Sequence, residues 1–487
     1  MRGKAQAYLF LSLLGALAFI RLEALPPFVD EAVHYWWVVR AIEAGEWLRS
    51  LNVGKPLEVW LAAPLVYLGG RPLLVMRSLH VLAGLLTVWL TFQIAVMVTS
   101  SRTNALISAV LVALCPFVVY LERMALAEIY LCAGGLLVTI MLSNFWQNPG
   151  KGRAVALGLA LLAAAFTKFP IGFIFVAWLP LALIFASHEE RRRLIKLQEI
   201  GIALAPVSAL LGAVTLVALI RARQGLTLGF GLWLLQRQSG RTEIRVLVVQ
   251  NLVRLIYELE AQLGWPSLLL GGIGLAAGLA FGNRFQRWLA VTGLLPWLGI
   301  ILIAQEWSSR YLLFSIPPLL IVAVGGWASM LGNRWVKGFL LVIPLVSFVH
   351  QSALLILNPP AARWSESDRW GYITGWPSGY GYAEAANYLC DVEQAESVYA
   401  LEVGTAMQLA LSLPPDCRLT IRQLHVVDGR PVAPEERQAL LLENCPALLI
   451  TPDAPDFSDE LMAHLQYIRG FPKPDSQTGV ALYRCSR

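Results

Sequence analysis

An acidic pair, Asp30-Glu31, follows two prolines and the first long apolar stretch of this 487-residue chain. Acidic residues in these positions suit the start of a helix, with Asp30 as its N-cap and Glu31 in its first turn. A carboxylate held at a membrane surface can also accept the proton of a reacting hydroxyl. The pair therefore has two interpretations, either the cap of a helix over residues 31–44 or a general base.

Single basic residues recur near the ends of the later apolar stretches. They are Lys55, Arg77, Arg123, Lys168 and Arg310, with Glu128 five residues after Arg123. Fixed cations of this kind can stabilise an anionic group. Taken alone, Lys55 and Arg77 could equally reach toward lipid headgroups, and Arg123 could pair with its acidic neighbours.

The elements that must position these side chains are membrane helices. Charged residues make up 14% of the chain and the mean hydropathy is +0.61, whereas about 25% is charged in an ordinary soluble domain. A bilayer crossing needs about 20 mostly apolar residues. We predict a polytopic membrane domain over residues 1–358 with about eleven transmembrane helices, at 7–25, 79–98, 104–121, 125–146, 154–168, 170–187, 200–220, 264–282, 288–304, 311–330 and 338–357. Alternatively, Pro170 kinks one long helix instead of separating two.

Basic residues orient these helices. With the amino terminus in the cytoplasm, the short cytoplasmic loops hold Arg2 and Lys4, Arg102, Lys151 and Arg153, Arg191–Arg193 and Lys196, Arg284 and Arg287, and Arg334 and Lys337, as the positive-inside rule requires. The loop with Asp30 and the carboxy-terminal segment are then extracytoplasmic. A signal peptide cleaved near Gly15–Ala18 fits less well, because the apolar run continues to Leu25. Topology explains much of the net charge of +6, so we predict no nucleic-acid partner.

Residues 359–487 are predicted to form a small α/β domain. Helices are expected at 382–391, 405–412, 434–443 and 458–467, and strands at 397–403, 446–451 and 479–484, which suggests a partly parallel sheet. Four cysteines lie here, at positions 390, 417, 445 and 485. Outside the cytoplasm they would form two disulfides in one of three pairings, and in a cytosolic domain they would be buried thiols. Their spacing is not that of a zinc site.

Taken in order, these motifs resemble those of the GT-C superfamily of membrane glycosyltransferases. The likeness is to the branch with protein O-mannosyltransferases and the bacterial aminoarabinose transferases that modify lipid A. It rests on Asp30-Glu31, on Lys55-Pro56-Leu57 with Trp60-Leu61, on Arg77, on Arg123-Met124 with Glu128, on Thr167-Lys168 with Pro170, and on Arg310–Leu313. This chain departs from the family pattern in two ways. It has one proline after Lys55 where the family has two, with Glu58 close by, and it has Glu128 where an Asp is more usual. The resemblance covers the first 330 residues and does not extend well to the last 129.

The resemblance implies a plasma-membrane enzyme that takes a sugar from a polyprenyl-phosphate donor and inverts its anomeric centre. Asp30 and Glu31 would be catalytic, with Asp30 the first candidate for the base. Lys55 and Arg310 would bind the donor phosphate, and Arg77, Arg123, Glu128 and Lys168 would support them. Glu31 and Glu128 would position the base, bind the acceptor or hold a cation. We predict no cofactor, although some members use a divalent metal and His34 lies one turn from Asp30. The sugar and the acceptor, whether protein, glycan or lipid, stay open.

The connection over residues 221–262 carries six arginines against three glutamates, a net +3 on the predicted external side. We predict that this loop covers the site and that Arg237 and Arg241 help to hold the lipid-linked phosphate. Ordinary contact with lipid headgroups is the alternative.

Two other functions share the same chemistry. A transporter or flippase of lipid-linked sugars would bind phosphate without a base, but transporters typically carry ionisable residues deep in their spans and internal repeats. A ligase that uses a polyprenyl diphosphate donor would differ only in its substrate. A structural scaffold would have no use for this ordered set of motifs.

Overall fold

The protein was analysed as a computed structural model, which describes residues 16–486 except 170, 195–196, 224–243, 305–306, 331–333, 425, 428–429, 453–456 and 475–478. The chain divides into two compact units. The membrane unit comprises residues up to Leu22, Ala41–Tyr67 and Met76–Arg363. The carboxy-terminal unit comprises Glu23–Arg40, Leu68–Val75 and Trp364–Arg487. The domain boundary predicted at 358/359 stays a prediction, but Asp30 and Glu31 group with the carboxy-terminal residues.

Helices dominate the chain up to residue 357. They are α1 (Val29–Glu43), α2 (Arg49–Val53), α3 (Pro56–Tyr67), α4 (Pro72–Thr99), α5 (Arg102–Leu114), α6 (Pro116–Leu121), α7 (Glu128–Gln147), α8 (Lys151–Thr167), α9 (Trp178–Phe185), α10 (His188–Leu194), α11 (Leu197–Arg223), α12 (Ile244–Leu263), α13 (Trp265–Phe281), α14 (Arg284–Ile303), α15 (Ile316–Met330) and α16 (Arg334–Leu357). Short 3₁₀ segments cover Leu17–Phe19, Ile171–Ala177 and Ser309–Ser315.

Six helical segments among the described residues are long and apolar enough to cross a membrane. They lie in α4, α7, α11, α14, Ser309–Met330 and α16. The pair Leu247–Leu263 and Trp265–Phe281 bends by 111° and makes a seventh if it is one span. The chain is therefore a multi-pass helical membrane protein, but the predicted count of about eleven helices is not confirmed. Residues 7–15 of the first predicted span, 7–25, lie outside the described residues.

One predicted span differs from the structure for a local reason. The stretch predicted over 104–121 is divided into α5 and α6, because Pro116 cannot continue a helix and instead occupies the first turn of the next one. The pair at 154–168 and 170–187 is two separate segments, since α8 ends at Thr167 and the next begins at Ile171. Within the predicted 221–262 loop, the described residues are helical, since 221–223 end α11 and the rest lie in α12.

The carboxy-terminal residues form a mixed sheet with short helices. The strands are β1 (Ser397–Ala400), β2 (Thr420–Gln423), β3 (Val426–Val427), β4 (Arg430–Pro431), β5 (Ala447–Pro452), β6 (Leu465–Pro472) and β7 (Gly479–Cys485). The helices are α17 (Glu366–Arg369), α18 (Tyr382–Asn387), α19 (Val403–Ser412), α20 (Pro434–Glu443) and α21 (Asp459–His464), with single π-helical turns at Trp370–Thr374 and Tyr388–Val392. The main sheet has the order β2-β1-β5-β7-β6.

The predicted partly parallel sheet is confirmed. Strand β1 is parallel to both β2 and β5, whereas β7 is antiparallel to β5 and β6. The helix predicted over 458–467 is shorter, since it ends at His464 and the chain continues as β6. Disulfides join Cys390 to Cys417 and Cys445 to Cys485, which selects one of the three pairings.

The core of this unit includes a residue from far earlier in the chain. Tyr382, Leu409 and Leu482 are fully buried in one apolar cluster, and Ala32 of α1 is buried in the same cluster. Tyr35 packs against it one turn later. The first part of α1 is therefore an integral element of the carboxy-terminal unit.

Candidate active site

In the membrane unit, predicted site residues converge on Glu128, the first residue of α7. Its carboxylate is buried, and Oε1 accepts a hydrogen bond of 2.5 Å from Lys168 Nζ. Arg310 Nε lies 3.5 Å from the same oxygen. Lys55 is near enough to act on Glu128 electrostatically. Two cations, Lys168 and Arg310, therefore contact one carboxylate, and Lys55 lies within electrostatic range of it.

Backbone geometry brings Lys55 and Lys168 together. Gly54 follows α2 in the left-handed conformation, with φ of 82°, which a residue without Cβ adopts readily. Its carbonyl accepts a 2.7 Å hydrogen bond from the amide of Phe169. The residue after Gly54 and the residue before Phe169 are the two lysines, so one backbone hydrogen bond aligns the segments that carry them.

Arg310 reaches the cluster from the 3₁₀ segment Ser309–Ser315, which packs against α7. Its neighbour Tyr311 offers an aromatic ring to two of the cations. Lys168 Nζ lies 5.1 Å from the ring centroid and Arg310 Cζ lies 5.7 Å from it. Such contacts stabilise cations that are partly removed from water.

The environment of these cations suits a phosphate. Lys168 and Glu128 are buried, whereas Lys55 and Arg310 are half-buried, so the cluster is anchored inside the unit and extends toward its surface. Cations held in such positions can make charge-assisted hydrogen bonds to the oxygens of a phosphate. Of the roles considered for Glu128, its contacts fit that of holding the cations in place.

Arg77 and Arg123 contact backbone carbonyls instead. Arg123 donates three hydrogen bonds of 2.5, 2.7 and 2.6 Å to the carbonyls of Ala18, Ile20 and Arg21. Arg77 donates one of 2.6 Å to the carbonyl of Leu22. Both guanidinium groups are buried. They satisfy acceptors at the end of the first apolar segment, so their support of the site is through the backbone.

A second buried pair in the membrane unit was not anticipated. Glu58 Oε1 lies 3.2 Å from His80 Nε2, and both side chains are buried. The Tyr130 ring packs on the His80 ring, with centroids 4.6 Å apart. The only sequence signal was Glu58 itself, an acid where the resembling family has a proline nearby. Glu58 lies in the first turn of α3, three residues after Lys55, and His80 lies on α4.

In the carboxy-terminal unit, the acidic pair occupies the first turn of α1. The helix begins at Val29, and the first helical hydrogen bond runs from Ala32 N–H to the carbonyl of Phe28. Glu31 Oε2 accepts a 3.0 Å hydrogen bond from the Phe28 amide, so Glu31 caps the helix by reaching back to the N-cap residue. The expected assignment of Asp30 as N-cap is therefore wrong by two residues, because the helix starts earlier than predicted.

Asp30 and Glu31 consequently differ in their surroundings. Glu31 is fully buried, with an oxygen committed to the backbone, whereas Asp30 is half-buried in the second position of the helix. Asp30 is the better placed of the two to meet a substrate. His34 is buried and stacks on Trp37 with ring centroids 4.8 Å apart.

Two expectations receive no test from the described residues. No group of three or more His, Cys, Asp and Glu residues that could hold a metal ion occurs among them, and the prediction of no cofactor stays a prediction. Arg237 and Arg241 lie outside the described residues, so their predicted contact with phosphate also stays a prediction.

Known proteins resemble this chain in sequence over one region and in fold over its whole length. Residues 31–221 match the family model of Dolichyl-phosphate-mannose-protein mannosyltransferase. The crystal structure of ArnT from Cupriavidus metallidurans in the apo state superposes with a TM-score of 0.63 at 14% identity, covering 99% of this chain and 98% of that chain. No curated protein matches.

Two further structures extend the likeness. The same ArnT bound to undecaprenyl phosphate gives a TM-score of 0.62 at 14% identity, with 98% of this chain and 97% of that chain covered. The arabinofuranosyltransferase AftD from Mycobacteria gives 0.51 at 12% identity and covers 98% of this chain but 41% of that one. The predicted resemblance is thus confirmed, and the chain has the fold of the GT-C glycosyltransferases.

Proposed function

We propose that this protein is an inverting membrane glycosyltransferase that moves a sugar from a polyprenyl-phosphate donor to an acceptor hydroxyl on the extracytoplasmic side of the plasma membrane. The observation that carries the proposal is the convergence of Lys55, Lys168 and Arg310 on buried Glu128. The family match over 31–221 supports the reaction class, and the ArnT complex with undecaprenyl phosphate supports the donor class.

In the proposed reaction the acceptor oxygen attacks the anomeric carbon as the bond from that carbon to the phosphate oxygen breaks. Asp30 takes the hydroxyl proton, and the electron pair of the broken bond leaves with the polyprenyl phosphate. Lys55 and Arg310 stabilise the charge that grows on the phosphate, and Lys168 and Glu128 keep them in position. Arg237 and Arg241 would add to the hold on the donor.

The test of the reaction class is release of free polyprenyl phosphate. Purified protein is incubated with a panel of polyprenyl-phosphate sugars, and the lipid phosphate and the glycosylated product are quantified. Release that depends on an acceptor supports the proposal. Movement of the intact donor between leaflets without release would instead identify a flippase, and use of diphosphate donors alone would identify a ligase.

The test of the base is Asp30→Asn. We expect normal folding and donor binding with transfer lower by roughly 10²–10⁴-fold, the range for general acid–base catalysis. Because Glu31 caps the helix, the asparagine leaves that cap intact. Near-normal transfer by Asp30→Asn would contradict the mechanism.

Glu31→Gln is the companion variant. A glutamine oxygen can still accept from the Phe28 amide, so we expect a smaller loss of transfer than in Asp30→Asn. A larger loss in Glu31→Gln would move the base to Glu31.

A further inference from the structure

The peptide that leads into α1 is held by buried polar side chains of the carboxy-terminal unit. Gln408, on α19, is 1% exposed. Its Nε2 donates to the carbonyl of Pro27 at 3.0 Å and to that of Pro377 at 2.9 Å. The Pro377 carbonyl also accepts a 2.9 Å bond from Val29 N–H. The Gln408 amide thus links Pro27 to the loop at Pro377, and the Val29 N–H makes a second link to the same loop.

That loop is itself fixed. Lys473, which is 3% exposed, donates to the carbonyl of Gly375 at 2.7 Å and to that of Ser378 at 2.9 Å. A buried ammonium group is stable only where its N–H groups are hydrogen-bonded. Hydrogen bonds from Lys473 therefore hold the loop 375–379, called the strap below. The Pro377 carbonyl of the strap accepts a hydrogen bond from Val29, the residue before Asp30.

Gly379 of the strap packs so closely against Pro27 that a side chain at this position would collide with the backbone. A Cβ on Gly379 would lie 2.3 Å from the Pro27 carbonyl oxygen and 2.8 Å from the Pro27 nitrogen. These are backbone atoms, which cannot rotate away as the end of a side chain would. Ala32 and Tyr35, on the following turns, pack in the core of the same unit. The first turn of α1 is thereby located by the strap at one end and by the core at the other.

We infer that the carboxy-terminal unit is a positioning element for the carboxylate of Asp30, with Gln408 as the residue that fixes the approach to α1. The inference deepens the proposed function and rests on it. In transfer chemistry a displacement of about 1 Å in a reacting group can cost about 100-fold in rate. Gln408 touches no substrate in this account and acts only through the backbone that carries Asp30.

The test is Gln408→Met, which keeps the length of the side chain and removes both hydrogen bonds. We expect kcat to fall by about 10–100-fold while KM for the donor stays within about twofold, because the cations of the membrane unit are unchanged. Gln438→Met is the matched control. Gln438 accepts from the Ser458 amide elsewhere in the unit, and its replacement should leave kcat unchanged.

A second variant protects the test against misfolding of Gln408→Met. Gly379→Ala presses against Pro27 and should likewise lower kcat, whereas Gly371→Ala, with open space around the added methyl group, should not. An equal fall of kcat in the two control variants would overturn the inference.

The deciding measurement combines Gln408→Met with Asp30→Asn. Misplacing a base has no further effect once the base is absent, so the double variant should lose no more activity than Asp30→Asn alone. Additive losses would assign Gln408 a purely structural role. If Asp30→Asn is itself fully active, the proposed mechanism fails. If it is inactive while Gln408→Met retains full kcat, only the inference fails.

Discussion

The buried pair of Glu128 and Lys168 allows stability and activity to be separated. Their charged atoms lie 2.5 Å apart and both side chains are at most 6% exposed. At an effective dielectric constant of about 20, the attraction at that distance is about 7 kcal/mol. Desolvation of the two ions costs several kcal/mol each and offsets most of it. The pair as a whole therefore adds little to the free energy of unfolding, although removing one partner alone strongly destabilises the protein.

We expect Glu128→Gln to destabilise the protein by about 3–5 kcal/mol, since it leaves buried Lys168 without its counter-charge. Lys168→Met should cost less, because Arg310 still lies 3.5 Å from the Glu128 carboxylate. The double variant Glu128→Gln, Lys168→Met should be more stable than Glu128→Gln alone, with a coupling of about 2–3 kcal/mol between the sites. It should not regain activity, because both residues that are proposed to keep Lys55 and Arg310 in position are missing.

The assay can use the two buried thiols of the chain. Cys115 and Cys132 are free and buried, so a thiol-reactive dye reports unfolding of the purified protein as temperature rises. Donor turnover is measured on the same samples. A double variant that melts no higher than Glu128→Gln would refute the buried-pair argument. Full turnover by the double variant would refute the proposed role of the cluster in binding phosphate.

Four further outcomes are expected. Arg123→Met should lower the unfolding midpoint without changing the donor KM of the folded fraction, because its three hydrogen bonds go to backbone carbonyls and each buried acceptor left bare costs about 1–3 kcal/mol; an altered KM would place Arg123 in the site. Arg310→Lys should weaken donor turnover despite keeping the charge, since a guanidinium grips two phosphate oxygens and an ammonium is a point charge; unchanged turnover would leave headgroup contact as its role. In non-reducing mass spectrometry the bridges 390–417 and 445–485 should appear, and Cys445→Ser should cost about 2–5 kcal/mol; four freely alkylated thiols would rule the bridges out. Finally, an impermeant reagent should label Ala463→Cys in intact cells and Gly152→Cys only after permeabilisation, and the reverse pattern would invert the topology.

The amino-acid sequence predicted the class of the protein and much of its site. Apolar stretches and low charge determine a helical membrane protein because backbone groups in lipid must be satisfied within each helix. The alternation of strands and helices after residue 358 was enough to predict a partly parallel sheet. Lys55 and Arg310 were predicted to bind phosphate with support from Lys168 and Glu128, and Arg310 and Lys168 both contact Glu128 in the structure.

Sequence reasoning failed where neighbours far along the chain decide the structure. The helix predicted over 458–467 ends early, because the chain from Leu465 to Pro472 forms the edge strand β6 and pairs with β7. Strand propensity depends strongly on such partners. Within the predicted loop over 221–262, α12 was missed because its arginines and glutamates mask its apolar residues. The hydrophobic pattern of a segment does not show which distant segment it pairs with, as β6 does with β7.

Tertiary structure alone decided which of the two acids caps α1. Asp30 and Glu31 are adjacent and chemically alike, and the hydrogen bond from Phe28 N–H shows that Glu31 is the cap. Likewise, the prolines before Asp30 gave no hint of Gln408, whose side chain meets them from 381 positions away. The types and spacing of residues determine which chemistry is available. The hydrogen-bond partners of those residues come from segments that only the folded chain brings together.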